Sequence, residues 1–143
     1  MKRKASAEWQ GDLKSGKGTV SSESGVLAGT PYSFSTRFES VRGTNPEELI
    51  AAAHAGCYSM QLSAMLANGG KNPTSVSTTA HVTLAMVDDK PTITEIVLDT
   101  VGIVPGLSSE EFAQFAQDAK AACLITRALA GVENVTLTAR LED

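Results

Sequence analysis

Gly43-Thr-Asn-Pro-Glu-Glu-Leu-Ile-Ala-Ala-Ala-His-Ala-Gly-Cys-Tyr-Ser-Met-Gln-Leu-Ser-Ala-Met-Leu-Ala-Asn-Gly-Gly70 is the stretch around which the chain is organised. Asn45 can cap a helix, because its side-chain oxygen can accept from a first-turn N–H that has no partner in the helix. Pro46 suits the first helical position, where no N–H is needed. Glu47 and Glu48 place negative charge at the positive end of the macrodipole. Gly69 and Gly70 end the helix, since glycine takes the left-handed closing conformation at little cost. Between these signals there is almost no charge. Leu49, Ile50, Ala53, Cys57, Met60 and Ala64, with Met65 and Leu66, approximate a helical stripe. The other faces carry Ala51, Ala52, Ala55 and Gly56 in place of Lys and Glu. A helix that is apolar or small all round is a buried one, and this one is too short and too polar at its ends to span a membrane. It is expected to be central, packed on several sides, with one cysteine in its middle.

Outward from this helix, the N-terminal third reads as short strands. Ala5, Ala7 and Trp9 alternate with polar residues, Lys14–Gly18 is a glycine-rich turn, and Thr19–Ser24 is partly β-branched. Tyr32–Phe38 alternates strictly, which predicts a strand with Tyr32, Phe34, Thr36 and Phe38 on one face and Arg37 on the other. C-terminal to the helix, Thr74–Val87 is rich in β-branched residues and reads as a long strand. Asp88–Pro91 is a turn, and Thr92–Val104 is the antiparallel return. Ser108 followed by Glu111 is a capping box for a helix that turns Phe112, Phe115, Ala119 and Ala122 inward. Cys123 lies near its end, where a short second helical piece begins. Val132–Arg140 alternates as a last strand, with Val135, Leu137, Ala139 and Leu141 as one apolar set. Grouped, mostly antiparallel strands around helices predict an α+β fold. The small-residue faces of the central helix call for more partners than one chain offers, and a second copy of that helix supplies them, so a homodimer is expected.

The 143 residues amount to one domain, 1–143. At 42% hydrophobic and 20% charged the composition is that of a globular protein. A net charge of −4 argues against nucleic acid or an anionic membrane as partner. Met1-Lys2-Arg3-Lys4 is followed by no apolar run, so neither a signal peptide nor a transmembrane segment is expected, and the location is expected to be cytoplasmic. There, cysteines rest reduced.

Cys57 and Cys123 are the only cysteines. The plain reading makes each a small buried hydrophobe. A reactive Cys57 must draw on a cation from elsewhere, because it lies well beyond the first turn of its helix, where the dipole has faded. Arg37 is the candidate. His54, at i−3, opens two alternatives: a Cys–His nucleophile pair of hydrolase type, and, with Cys57, His81 and Cys123, a scattered zinc set lacking the short Cys-x2-Cys spacing.

Residues 43–60 closely resemble the motif around the reactive cysteine of the OsmC/Ohr family, the osmotically inducible and organic hydroperoxide resistance proteins. Ala122-Cys-Leu-Ile-Thr-Arg-Ala-Leu129 resembles the second-cysteine motif, with Leu124 standing where proline commonly follows the cysteine. Tyr32–Glu39 resembles the arginine-bearing segment of the OsmC branch. The resemblance implies a thiol peroxidase of the stress response that reduces organic hydroperoxides, and hydrogen peroxide less well, with no cofactor or metal. It implies that Cys57 attacks peroxide, Cys123 resolves the sulfenic acid to a disulfide, Arg37 is the activating cation and Glu47 its carboxylate partner. It implies an intertwined homodimer in which curved antiparallel sheets enclose two central helices, and a dithiol reductant of lipoyl type. Glu47 and Cys57 are ten residues apart on one helix, about 15 Å of rise, so active sites are expected at the subunit interface. A dimer that binds small hydrophobic ligands between subunits, with both thiols merely buried, is the non-enzymatic alternative.

Overall fold

The computed structural model describes residues 1–143. The chain divides into two compact units, Met1–Leu49 and Ile50–Asp143. The first holds a three-stranded antiparallel sheet in the order β1 (Ala5–Gln10), β2 (Lys17–Ser22), β3 (Thr30–Tyr32). Gly18 on β2 pairs with Trp9 on one side and Tyr32 on the other. Those two rings lie 5.4 Å apart, centroid to centroid, across the place where any side chain at position 18 would stand.

The strand expected over Tyr32–Phe38 is instead a helix, α1 (Phe34–Phe38). Ser33 caps it: the Thr36 N–H donates to Ser33 Oγ at 3.3 Å, and the Ser33 N–H donates to Thr36 Oγ1 at 2.9 Å. Phe34 and Phe38, four residues apart, share a helical face, with ring centroids 4.8 Å apart. The alternation of polar and aromatic residues is real, but the capping bonds and the i, i+4 aromatic pair outweigh it.

The long helix α2 (Pro46–Asn68) starts and stops as its sequence predicts. Asn45 Oδ1 accepts from the Glu48 N–H at 2.8 Å. At the other end, the Gly70 N–H donates to the Ala67 carbonyl at 3.0 Å and the Lys71 N–H to the Leu66 carbonyl at 2.9 Å, with Gly70 at φ +74°. That is a Schellman closure. The buried stripe, however, is His54, Tyr58, Leu62 and Leu66, not Ala53, Cys57, Met60 and Ala64. Ala52, Ala53, Gly56, Met60 and Ala64 face outward, and Met60 is 76% exposed. Burial on several sides is thus not achieved by one copy of the chain.

In the second unit, β4 (Ser75–Val87) and β5 (Lys90–Ile103) form a long antiparallel hairpin. Its two-residue turn puts Asp88 and Asp89 at φ +48° and +59°, the primed geometry that matches strand twist. Then α3 (Ser109–Ala122) and α4 (Leu124–Ala128) cross over to β6 (Asn134–Glu142), which lies parallel to β5. Pairing is mostly antiparallel, as expected, and β6 is the exception because a helical crossover returns the chain in its original direction. The Ser108–Glu111 capping box is present. The Ser108 hydrogen bonds, backbone first, and then Lys71 hold the Glu111 carboxyl below its usual range. One core unites α2, the sheet and α3: Tyr58, Leu62 and Leu66 with Ile96, Leu98, Phe112, Ala116 and Ala119. Ala116, not Ala122, completes the inner face of α3. The fold is α+β, with two sheets and four helices.

Candidate active site

Cys57 sits on α2 and Cys123 is the single residue between α3 and α4. Its N–H donates to the Ala119 carbonyl at 2.9 Å and its carbonyl accepts from the Arg127 N–H at 3.0 Å, so Cys123 ends one helix and begins the next. Packing of α3 against the core carries this junction to α2. The two sulfurs, 66 positions apart in sequence, lie 3.4 Å apart as free thiols. Cys57 is half-buried and Cys123 is fully buried. One thiol is therefore reachable and the other shielded behind it, the order needed for attack by the first and condensation by the second.

Groups around the sulfurs come from the same elements. Tyr58, next to Cys57, is fully buried and donates to the Ala116 carbonyl at 3.0 Å. Burial first, and the neighbouring Cys123 second, push its phenol well above the ordinary value, so it stays protonated. His54 is buried as well, and burial holds its imidazole below the ordinary 6.5. Its Nε2 lies 2.7 Å from Thr126 Oγ1, while Nδ1 has no partner. The ring thus engages Thr126, not Cys57, and the base–nucleophile bond of a Cys–His hydrolase is missing. The four zinc candidates do not assemble either: no cluster of His, Cys, Asp and Glu capable of holding a metal is formed, and His81 lies exposed, 3.2 Å from Asp99. Tyr58 and Thr126 escaped the sequence reading. A phenol beside the first cysteine and a hydroxyl three residues after the second were the available signals.

In the N-terminal unit, Arg37 on α1 meets Glu47 in the first turn of α2. Arg37 Nη2 donates to Glu47 Oε1 at 2.7 Å, and Nε donates to Oε1 at 3.0 Å and to Oε2 at 3.3 Å. Glu47 is buried, with 10% of its side chain exposed against 36% for Arg37. Such a forked pair fixes the direction of the guanidinium. The Arg37 Cζ also lies 5.2 Å from the centre of the Phe38 ring, within cation–π range. Trp9, Leu13, Phe34, Phe38 and Arg37 line a pocket of about 330 Å³, an apolar cavity with one fixed cation. Asn45 ties the two helices of this unit together by donating to the Thr36 carbonyl at 2.9 Å. No helix is long and apolar enough to cross a membrane.

The family described as OsmC-like protein matches residues 38–138. Peroxiredoxin OsmC of Escherichia coli strain K12 is 54% identical over 127 residues, covering 89% of this chain and 89% of that protein. Peroxiredoxin OsmC of Shigella flexneri matches to the same extent. Among solved structures, an OsmC-like protein of unknown function from Vibrio cholerae superposes with a TM-score of 0.76 at 19% identity, over 97% of this chain and 99% of the other. The organic hydroperoxide resistance protein OhrB of Bacillus subtilis gives 0.68 at 22% identity, over 97% and 98%. At such identities these two superpositions establish a shared fold.

Proposed function

This chain belongs to the OsmC-like protein family, and from that premise we propose that it is a thiol peroxidase that reduces organic hydroperoxides through Cys57 and Cys123. The 54% identity to proteins named peroxiredoxin supports the reaction class. The single observation that carries the assignment of residues is the 3.4 Å separation of the two sulfurs.

The half-buried Cys57 thiolate attacks one oxygen of R–O–O–H. The O–O bond breaks, Cys57 becomes the sulfenic acid, and the leaving alkoxide takes a proton to become the alcohol. Arg37, aimed by Glu47, supplies positive charge for the thiolate and for the oxygen that gains charge as the bond breaks. The Cys123 sulfur then bonds to the Cys57 sulfur and water leaves, which removes the sulfenic acid before a second peroxide reaches it. A dithiol reductant, of lipoyl type, reopens the disulfide by exchange. The pocket of Trp9, Leu13, Phe34 and Phe38 favours an apolar R group over hydrogen peroxide.

The acting unit is a homodimer with each site at the subunit interface. Two observations support this: the outward-facing small residues of α2 and the ten-residue offset along one helix from Glu47 to Cys57. The family match crosses the boundary between the two compact units, which supports one functional domain over residues 1–143. The location is cytoplasmic, a compartment in which resting cysteines are kept reduced.

Consumption of cumene hydroperoxide with dihydrolipoamide as reductant, compared between wild type and Cys57→Ser, tests the proposal. Turnover by the wild type alone is expected. Equal turnover by both proteins would overturn it.

A further inference from the structure

We propose that the His54–Thr126 hydrogen bond is a clasp that holds the resolving thiol in place, making both residues positioning residues for disulfide formation; this rests on the two-cysteine peroxidase reading above. Cys123 is the only residue between α3 and α4, and α4 is a five-residue helix whose N-terminus has no side-chain cap. A helix that short has no stability of its own. What fixes it must come from outside, and Thr126 Oγ1, 2.7 Å from His54 Nε2, is a direct side-chain bond from α4 to α2. The spacing is reciprocal: His54 precedes Cys57 by three residues, and Thr126 follows Cys123 by three. The sulfur pair and the imidazole–hydroxyl pair therefore form two neighbouring rungs between the same elements.

The unpartnered Nδ1 favours this reading over simple packing. His54 is fully buried and leaves that nitrogen unsatisfied, a defect that an apolar side chain of similar size would avoid. Local rules of this kind are broken chiefly where a functional bond compensates. Nothing else in the thiol site uses His54: it makes no hydrogen bond to Cys57 and belongs to no metal cluster.

The clasp acts on the second chemical step. In the first, Cys57–S⁻ and ROOH give Cys57–SOH and RO⁻, which is protonated to ROH. In the second, Cys57–SOH and Cys123–SH give the disulfide and water. The sulfurs start 3.4 Å apart and must approach to about 2.05 Å. Movement of about 1 Å in such a geometry changes a rate up to about a hundredfold. With α4 tethered, the Cys123 junction closes that gap by a small rotation. Untethered, Cys123 samples positions farther away, and Cys57–SOH meets a second ROOH first, giving Cys57–SO₂H and ROH.

The bond is best cut from the Thr126 side, because His54 lies in the core and its replacement risks the fold. Thr126→Val keeps the shape and removes the hydroxyl, and Thr126→Ser keeps the hydroxyl. Full-length protein is mixed with one equivalent of cumene hydroperoxide, quenched at intervals and weighed by mass spectrometry. Gain of one oxygen marks the first step, and subsequent loss of water marks the second. The expected result is an unchanged first step in both variants. The second step should be slowed about tenfold to a hundredfold in Thr126→Val, with sulfinic acid accumulating under excess hydroperoxide, and restored in Thr126→Ser. A merely structural role for the position would not separate the two steps. A second step in Thr126→Val as fast as wild type overturns the clasp while leaving the peroxidase intact. Equal slowing in Thr126→Ser overturns it too, by implicating the methyl packing instead. Failure of the wild type to gain oxygen at all overturns the parent reading, and the clasp with it.

Discussion

Replacing Cys123 with alanine isolates Cys57 and puts a number on what the second sulfur does. Alanine is preferable to serine, because the position is fully buried and a hydroxyl there would lack a partner. The lost packing costs about 1 kcal/mol, the scale of one deleted buried methyl-sized group, so the protein remains folded. In the wild type the second sulfur waits at 3.4 Å. Well-oriented intramolecular partners reach effective molarities of about 10⁵–10⁸ M. The closure needed here argues for far less, and even about 10 M exceeds millimolar hydroperoxide by roughly 10⁴-fold. Only about one sulfenic acid in 10⁴ is then lost to over-oxidation at each turnover. In Cys123→Ala, external thiol and hydroperoxide compete on similar terms, and at equal millimolar concentrations on the order of half of the protein is lost per cycle. The assay is hydroperoxide consumption with dithiol in the cuvette, followed by intact mass. Wild type should sustain thousands of turnovers, and Cys123→Ala should stop within a few, carrying two or three extra oxygens. Sustained turnover by Cys123→Ala with no added oxygen would reduce Cys123 to a packing residue with no part in the reaction.

Other consequences follow from the same coordinates. Arg37→Met should lower kcat/KM for organic hydroperoxides about 10²-fold, the scale of removing a charge-stabilising donor, and Glu47→Gln about tenfold through misdirection of Arg37; stopped-flow peroxide kinetics distinguish them. Gly102 lies under the ring of Phe112, whose edge a Cβ would overlap, so Gly102→Ala should destabilise by about 1–3 kcal/mol and lower the melting temperature by several degrees. Burial holds His54 below its ordinary 6.5, so below that pH the unfolded chain binds a proton that the native state does not. This contribution to stability is complete above pH 6.5 and erodes as pH falls from there through the lower native value. Urea midpoints should decline from pH 7 toward pH 5 in wild type and more shallowly in His54→Phe.

Much of the architecture was legible because it is written in local chemistry. Asn45, Pro46 and the Gly69–Gly70 pair mark both ends of α2, and Ser108 with Glu111 marks the start of α3; each signal acts within four residues of itself. Where two local signals competed, the period misled. Tyr32–Phe38 alternates like a strand, but Ser33 and Thr36 bond each other's backbone and Phe34 packs against Phe38, so Phe34–Phe38 folds as a helix. The inner face of α2 was misread because alanines and a glycine blur the apolar stripe. His54 and Tyr58, both polar-capable, turned out to be inside, and Met60 outside. The parallel pairing of β6 follows from the crossover helices and could have been anticipated from them. The meeting of Cys57 and Cys123 could not be read from spacing, since it depends on how α3 packs. In the sequence, only the resemblance of the two cysteine motifs to one family relates them.

Everything proposed for this chain requires the two sulfurs to be partners in one redox reaction. One equivalent of organic hydroperoxide, added to the reduced protein without reductant and followed by peptide mapping, tests it directly. One alcohol released per chain and a disulfide joining Cys57 to Cys123 are expected. Recovery of both cysteines as free thiols, or a stable sulfinic acid on Cys57 beside an untouched Cys123, would contradict it.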